Sequence, residues 1–233
     1  MTYKIEMHSH IKGASSDSLI DPNTYMFELT KTGYHGILVT DHYDEEELEC
    51  KGVESQLDKQ KKWLDGYYRM RYEGEKHNIK VYLGCEYSCE TVNQVIDSSD
   101  VHLSLIGLHE NLFLENIIKL HLSLDELKKL SLKYGFLIIQ NHPYRYGLDK
   151  LDLSEVDGYE IVNTKESNHI IIPDYNERIQ KETISYDLIN IGGGDCHNLN
   201  DIGKCGILTE KLPKDVMELK DILIKKEYQI IGI

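Results

Sequence analysis

The 233 residues carry 26 lysines and arginines against 40 aspartates and glutamates, a net charge of -14, with 40% hydrophobic and 28% charged residues. That balance describes an ordinary globular protein with enough chain for one sizeable core, and it argues against a surface that follows long nucleic acid while leaving room for a small phosphorylated substrate beside bound cations. No stretch reaches the length of a membrane span, the N-terminus lacks a basic-then-apolar leader, and five cysteines form no C-x-x-C pair, so a cytoplasmic protein with reduced thiols is expected.

Residues 3–7 alternate as a first strand and run into His8-Ser9-His10, followed by a polar loop over 11–21. Asp21-Pro22 reads as a cap with proline at the first helical position, opening a helix that Gly33 stops. Residues 36–40 form a short apolar run typical of a buried strand and end in Asp41-His42. An acidic loop over 44–49 leads to a long amphipathic helix over 54–77, whose Lys and Glu runs are its solvated face. Strands follow at 79–85, ending in Gly84-Cys85-Glu86, and at 101–107, ending in Leu108-His109. Ser123 and Glu126 make a capping box for a helix to Tyr134 that Gly135 terminates. Strands at 136–140 and 158–162, a helix over 174–185, and a strand at 188–191 lead to Gly194-Asp195-Cys196-His197. Residues 206–208, a helix of about ten residues from 214 and a strand at 228–231 complete the chain.

Strand alternating with helix predicts an α/β fold with a mainly parallel sheet, and about seven such units over residues 1–233, without repeat or linker, predict one barrel domain. The C-terminal ends of parallel barrel strands converge on one mouth, so the strand-end residues form a set. They are His8, His10, His42, Glu86, His109, His142, Asp195 and His197, with Asp17 from the first loop. Two histidines one residue apart on an extended strand share a face, and so many nitrogen and oxygen donors exceed the needs of one tetrahedral ion. His102 competes with His109 but would open its strand, at the wrong end of a parallel barrel, so His109 is selected. Arg145, after the His-Pro element, is a candidate fork for a substrate phosphate. Lys12, Lys165, Arg178 and Lys204 are further candidate phosphate partners that read first as surface charge, Cys196 reads as a packed thiol, and Asp41 as a carboxylate that either orients a neighbouring imidazole or caps its strand.

His8-Ser9-His10, Thr40-Asp41-His42, Gly84-Cys85-Glu86 and Gly194-Asp195-Cys196-His197, in that order, resemble the polymerase and histidinol phosphatase (PHP) domain family. The resemblance runs from residue 7 to 197 and implies a distorted seven-unit (β/α) barrel with a di- or trinuclear metal site. Carried over, it puts His8, His10, Glu86 and Asp195 on one ion. Glu86 bridges to a second ion held by His109 and His142, and Asp17, His42 and His197 hold a third. The longer loop before Asp17, and Asn198 after the last motif, look more like the bacterial tyrosine-phosphatase branch of that superfamily; Thr40-Asp41-His42 fits the general family better.

The implied chemistry is hydrolysis of a phosphate ester by a metal-activated water, with Glu86, Asp195 and His197 at the catalytic centre and two or three zinc, manganese or iron ions as cofactors. The expected partner is a small phosphorylated metabolite, as for a histidinol-phosphate phosphatase, without long nucleic acid or membrane. Alternatives are a phosphodiesterase, nucleotidase or small exonuclease, a protein-tyrosine phosphatase, and a non-catalytic metal-binding module.

Overall fold

The computed structural model describes residues 1–49, 52–89, 101–145, 150–165, 175–183 and 186–232. Cys50, His169 and the two ends of the helix expected over 174–185 lie outside the described residues. The elements in chain order are β1 (Tyr3–Glu6), α1 (Pro22–Lys31), β2 (Tyr34–Val39), β3 (His42–Tyr43), α2 (Glu45–Glu49), α3 (Gln56–His77), β4 (Lys80–Cys89) and β5 (Val101–Ile106). They continue with α4 (Glu110–Leu114), α5 (Leu124–Tyr134), β6 (Leu137–Gln140), β7 (Gly158–Asn163), α6 (Tyr175–Thr183), β8 (Ile189–Gly193), β9 (Gly206–Thr209), α7 (Val216–Lys225) and β10 (Tyr228–Ile231).

Helix ends follow their local chemistry. Asp21 accepts a hydrogen bond from the Thr24 N–H at 3.1 Å ahead of proline in the first turn of α1. Both halves of the Ser123–Glu126 capping box form at the start of α5, and Gly135 takes the left-handed conformation (φ 76°) that ends the helix at little steric cost. The expected acidic loop over 44–49 contains the one-turn helix α2, and α4 is equally short. Neither is long enough to display a 3.6-residue pattern.

The strands form one sheet in the order β10-β9-β1-β2-β4-β5-β6-β7-β8, with β3 paired to β4. β8 packs beside β9 and β10, and beyond the strand ends Ser9 bridges Cys196, with His10 N–H to Cys196 O at 3.2 Å and Cys196 N–H to His8 O at 3.3 Å. The sheet is thus a nearly closed barrel in a mixed α/β fold.

The expectation of a mainly parallel sheet needs correction at β9, which runs antiparallel to β1 and β10, and at β5, where it decides the composition of the site. β5 runs antiparallel to both neighbours, pairing Cys89 with Val101 on β4 and Gln140 with Leu103 on β6. The beginning of β5 therefore lies at the end of the barrel where β1, β2, β4, β6, β7 and β8 finish. Apolar packing holds this frame: Tyr25, Met26 and Leu29 of α1 with Ile37 and Val39 of β2, Trp63 and Leu64 of α3 with Phe113 and Leu105, and Leu219 and Leu223 of α7 with Ile5, Ile139 and Ile191. Each such buried side chain contributes roughly 1.5–3 kcal/mol.

Candidate metal centre

Glu86 sits at the middle of the barrel mouth, almost fully buried, because β4 continues past the expected strand end at Cys85 to Cys89. Imidazoles surround its carboxylate: His8 Nε2 and His10 Nε2 at 3.3 Å, His42 Nδ1 at 3.0 Å, His102 Nδ1 at 3.2 Å and His142 Nε2 at 3.1 Å. The Asn141 amide donates to Glu86 Oε1 at 2.7 Å. Asp195 lies 3.3 Å from His10 Nε2, 3.6 Å from His8 Nε2 and 3.2 Å from His197 Nδ1. Asp17, its side chain 52% exposed, reaches His197 Nε2 at 2.8 Å and His42 Nε2 at 3.6 Å. The longer first loop folds back far enough to do this because Leu19 N–H binds His197 O and the Ser18 hydroxyl binds His10 O.

Eight of the nine expected ligands, His8, His10, Asp17, His42, Glu86, His142, Asp195 and His197, meet in this cluster. His109 does not. It follows the far end of β5, is exposed at the start of α4, and lines a cavity with Arg71, Lys80 and Lys214. His102 stands in its place, against Glu86 and within ring contact of His42 and His142. The physical reason is the reversed direction of β5: alternation shows that a strand exists but not which way it runs.

Four triads have ligand atoms within 4.8 Å of one another: His10–His42–His197, His8–His142–Asp195, His8–His10–Glu86 and His42–Glu86–His102. Among the described residues, His8 Nε2, His10 Nε2, His42 Nδ1, His102 Nδ1, His197 Nε2 and Glu86 Oε2 are buried without a well-directed hydrogen bond, although each of these nitrogens lies near a carboxylate oxygen of Glu86 or Asp17. Buried polar atoms ordinarily make well-directed hydrogen bonds, and imidazole nitrogens and carboxylate oxygens that converge from several strands without them suit divalent cations. The residues present therefore fit a metal centre.

The charges are mutually dependent. Burial alone would push Glu86 and Asp195 up, but the surrounding imidazoles, with Lys165 beside Asp195, hold both carboxyls well below the ordinary range. Burial would depress His8 and His42, and the carboxylates around them hold both imidazoles above the usual value. His197 is raised to about 9, its burial outweighed by Asp17 and Asp195. His10 is pushed down by burial and by His197 and His42, and His142 falls to about 3 through burial and Arg145.

Two cations line the Asp195 edge. Arg145 Nη1 donates to Asp195 Oδ2 at 2.8 Å, and Lys165 Nζ lies 2.9 Å from His197 Nδ1 and 3.8 Å from Asp195 Oδ1. Lys165 thus belongs to the site and is no plain surface charge. Glu160 and Ser15 were also not singled out by sequence. Glu160 is fully buried against His8 Nδ1 at 2.9 Å, and Ser15 contacts His10 Nδ1 at 3.2 Å. A carboxylate inside the apolar run Gly158–Val162 was the available signal for Glu160.

Known structures share this architecture at low identity. A two-domain Bacteroides vulgatus protein containing a predicted PHP-like metal-dependent phosphoesterase superposes with a TM-score of 0.67 at 16% identity, over 99% of this chain and 64% of that one. The fold is that of the PHP-like proteins. This chain spans just under two thirds of the Bacteroides protein. A Bifidobacterium adolescentis protein, provisionally named a metal-dependent phosphoesterase, gives 0.54 at 15% identity over 95% and 96% of the two chains. A Chromobacterium violaceum amidohydrolase with bound sulfate and no metal gives 0.60 at 12% over 97% of both. No family model and no curated protein matches the sequence. Within the PHP-like fold, the cluster occupies the strand-end mouth of the barrel, and no helix among the described residues is long and apolar enough to cross a membrane.

Proposed function

We propose that this chain is a divalent-metal-dependent phosphoesterase acting on small phosphomonoesters. The observation that carries the reading is the convergence of five buried or half-buried imidazoles on the Glu86 carboxylate, with Asp195 beside them and few well-directed hydrogen bonds among them. His8, His10, Glu86 and Asp195, with His42, His102, His142, His197 and Asp17, would hold two or three ions, and the imidazole and carboxylate donors suit zinc, manganese or iron. Bound there, such ions would supply an acidified water and offset charge on the phosphate.

Arg145 and Lys165 do the chain's own share. Both side chains are largely buried, at 9% and 18% exposure, and both carry their charge to the Asp195 carboxylate at the mouth. A guanidinium fork and an ammonium suit a terminal phosphate with three free oxygens and two charges better than a diester, which has one charge. Asn141 fixes Glu86 by donating to Oε1, so the central carboxylate keeps one orientation. Buried thiols at Cys85, Cys196 and Cys205, none in a disulfide, support a cytoplasmic setting.

The test is direct. Protein reloaded with manganese or zinc should release phosphate from an aryl monophosphate far faster than it cleaves the bis-aryl diester, with histidinol-phosphate-like monoesters as the first metabolites to try. Metal content should lie at two or three per chain. A fully loaded protein that is inert on every monoester, or one that prefers the diester, overturns the reading.

A further inference from the structure

Behind the ligands stand two separate carboxylate frames. The first is Glu160. Its Oε1 accepts from His8 Nδ1 at 2.9 Å, and its Oε2 accepts the His142 backbone N–H at 2.9 Å and the Asn163 amide at 2.9 Å. The same Asn163 amide reaches Asp195 Oδ2 at 3.4 Å. One buried carboxylate, with its amide neighbour, therefore fixes a side chain just after β1, a backbone turn after β6 and a carboxylate after β8. Those three residues are one of the ligand triads, His8–His142–Asp195.

The second frame is Asp41 acting through Ser15. Asp41 Oδ1 accepts from the Ser15 hydroxyl at 2.9 Å and from the Ile11 N–H at 2.8 Å. With its proton committed to Asp41, the Ser15 oxygen can only accept, and its neighbours are His10 Nδ1 at 3.2 Å and the His42 N–H at 3.1 Å. This frame serves His10 and His42, members of the other outer triad, His10–His42–His197, while His10 and His8 also meet in the triad His8–His10–Glu86 between the two. In both frames the acceptor suits a proton on Nδ1, so Nε2 of His8 or His10 is the nitrogen turned toward the mouth and the one that a cation would take.

We propose that Glu160 and Asp41 are positioning residues for two different metal positions, and that each position can be emptied separately by disabling its own frame. The proposal rests on the phosphoesterase reading only for the presence of ions, and not for the reaction. Gly193 supports the same assignment. A Cβ there would lie 2.3 Å from Glu160 Oε1 and 2.4 Å from His8 Cβ, so only glycine lets the Glu160–His8 pair close.

Glu160→Gln is the first variant. All partners of Glu160 are donors, and an amide keeps only one end as acceptor, so one contact set must turn repulsive while the volume stays constant. Gly193→Ala, which displaces the pair without removing either residue, is the second. Asp41→Asn is the contrasting variant. Metal content per chain and affinity for manganese are measured after dialysis against buffered free metal, with circular dichroism and melting as folding checks. Glu160→Gln and Gly193→Ala should each lose one ion per chain, or bind it about 10- to 100-fold more weakly, and keep the rest. Asp41→Asn should weaken the complementary ion. Wild-type content and affinity in a folded Glu160→Gln, or equal loss of every ion in both frame variants, overturns the proposal. A wild type that binds its ions but hydrolyses no monoester defeats the proposed reaction and leaves this assignment standing.

Discussion

His102→Ala and His109→Ala form the sharpest pair of substitutions, because the direction of one strand decides between them. His102 Nδ1 lies 3.2 Å from Glu86 and belongs to the triad His42–Glu86–His102, so its loss removes a donor from the centre itself. Outer residues that merely orient ligands cost about 10- to 100-fold in metal affinity, so loss of a donor should cost at least about 100-fold, or about 3 kcal/mol. His109 is exposed, and its side chain makes no cap hydrogen bond at the start of α4, so its truncation should stay within about 0.5 kcal/mol in stability and leave metal binding alone. Competitive titration of manganese or zinc against a chromophoric chelator gives the affinities, and aryl-phosphate hydrolysis gives the rates. Metal loss in His109→Ala with full retention in a folded His102→Ala would refute the antiparallel placement of β5 and the argument built on it.

Arg145→Ala and Lys165→Ala should each lower kcat/KM for an aryl monophosphate by about 10- to 100-fold while affecting the bis-aryl diester less, since one charge-assisted contact contributes about 1.5–3 kcal/mol; equal losses on both substrates would count against a phosphate role. Chelation of the ions should abolish activity and lower the melting temperature, with both restored by added metal; an unchanged melting temperature after verified metal removal would contradict binding to the folded state alone. Asp21→Ala should destabilise α1 by about 1 kcal/mol at neutral pH. Hydrogen bonds from the Thr24 hydroxyl and N–H hold the Asp21 carboxyl below its ordinary value of 3.8. The stabilisation is therefore complete above about pH 4 and fades as pH falls through the folded-state value, where variant and wild-type melting curves should converge.

Most of the centre was readable because the chemistry is written in short local patterns. His8 and His10, or Asp195 and His197, sit two residues apart where strands end, and an extended backbone then fixes which face they share. The β5 error arose because alternation has no direction, and reversing one strand exchanges the ends of the barrel for His102 and His109. Asp17 was legible as a type of residue, while its reach depended on how the loop is tied to His10 and His197. Glu160 was harder still. Its partners come from just after β1, from the turn after β6 and from β7, and no local pattern brings them together. The charge of Lys165 was visible, but its closeness to His197 follows from β7 ending beside β8.

The backbone carries the same message as the side chains. His142 (φ 27°), Tyr144 (φ 72°) and Asp195 (φ 47°) take left-handed conformations in the two turns that present ligands after β6 and β8. Such conformations cost on the order of 1–3 kcal/mol each unless neighbours enforce them. Here the enforcing groups are buried carboxylates. Glu160 holds the His142 N–H at 2.9 Å, and Glu6, raised to about 7 by burial, holds the Gly194 N–H at 2.7 Å. The fold thus buries Glu86, Glu160 and Asp195 among imidazoles several of whose nitrogens lack a well-directed hydrogen bond, with Glu6 held by backbone N–H groups close by. Even paired, buried charges are costly to desolvate, and apolar residues of the same volume would make a firmer barrel. The arrangement becomes favourable when cations occupy the point on which those nitrogens converge, so the strain and the desolvated charge are both best understood as the cost of keeping a metal centre preformed.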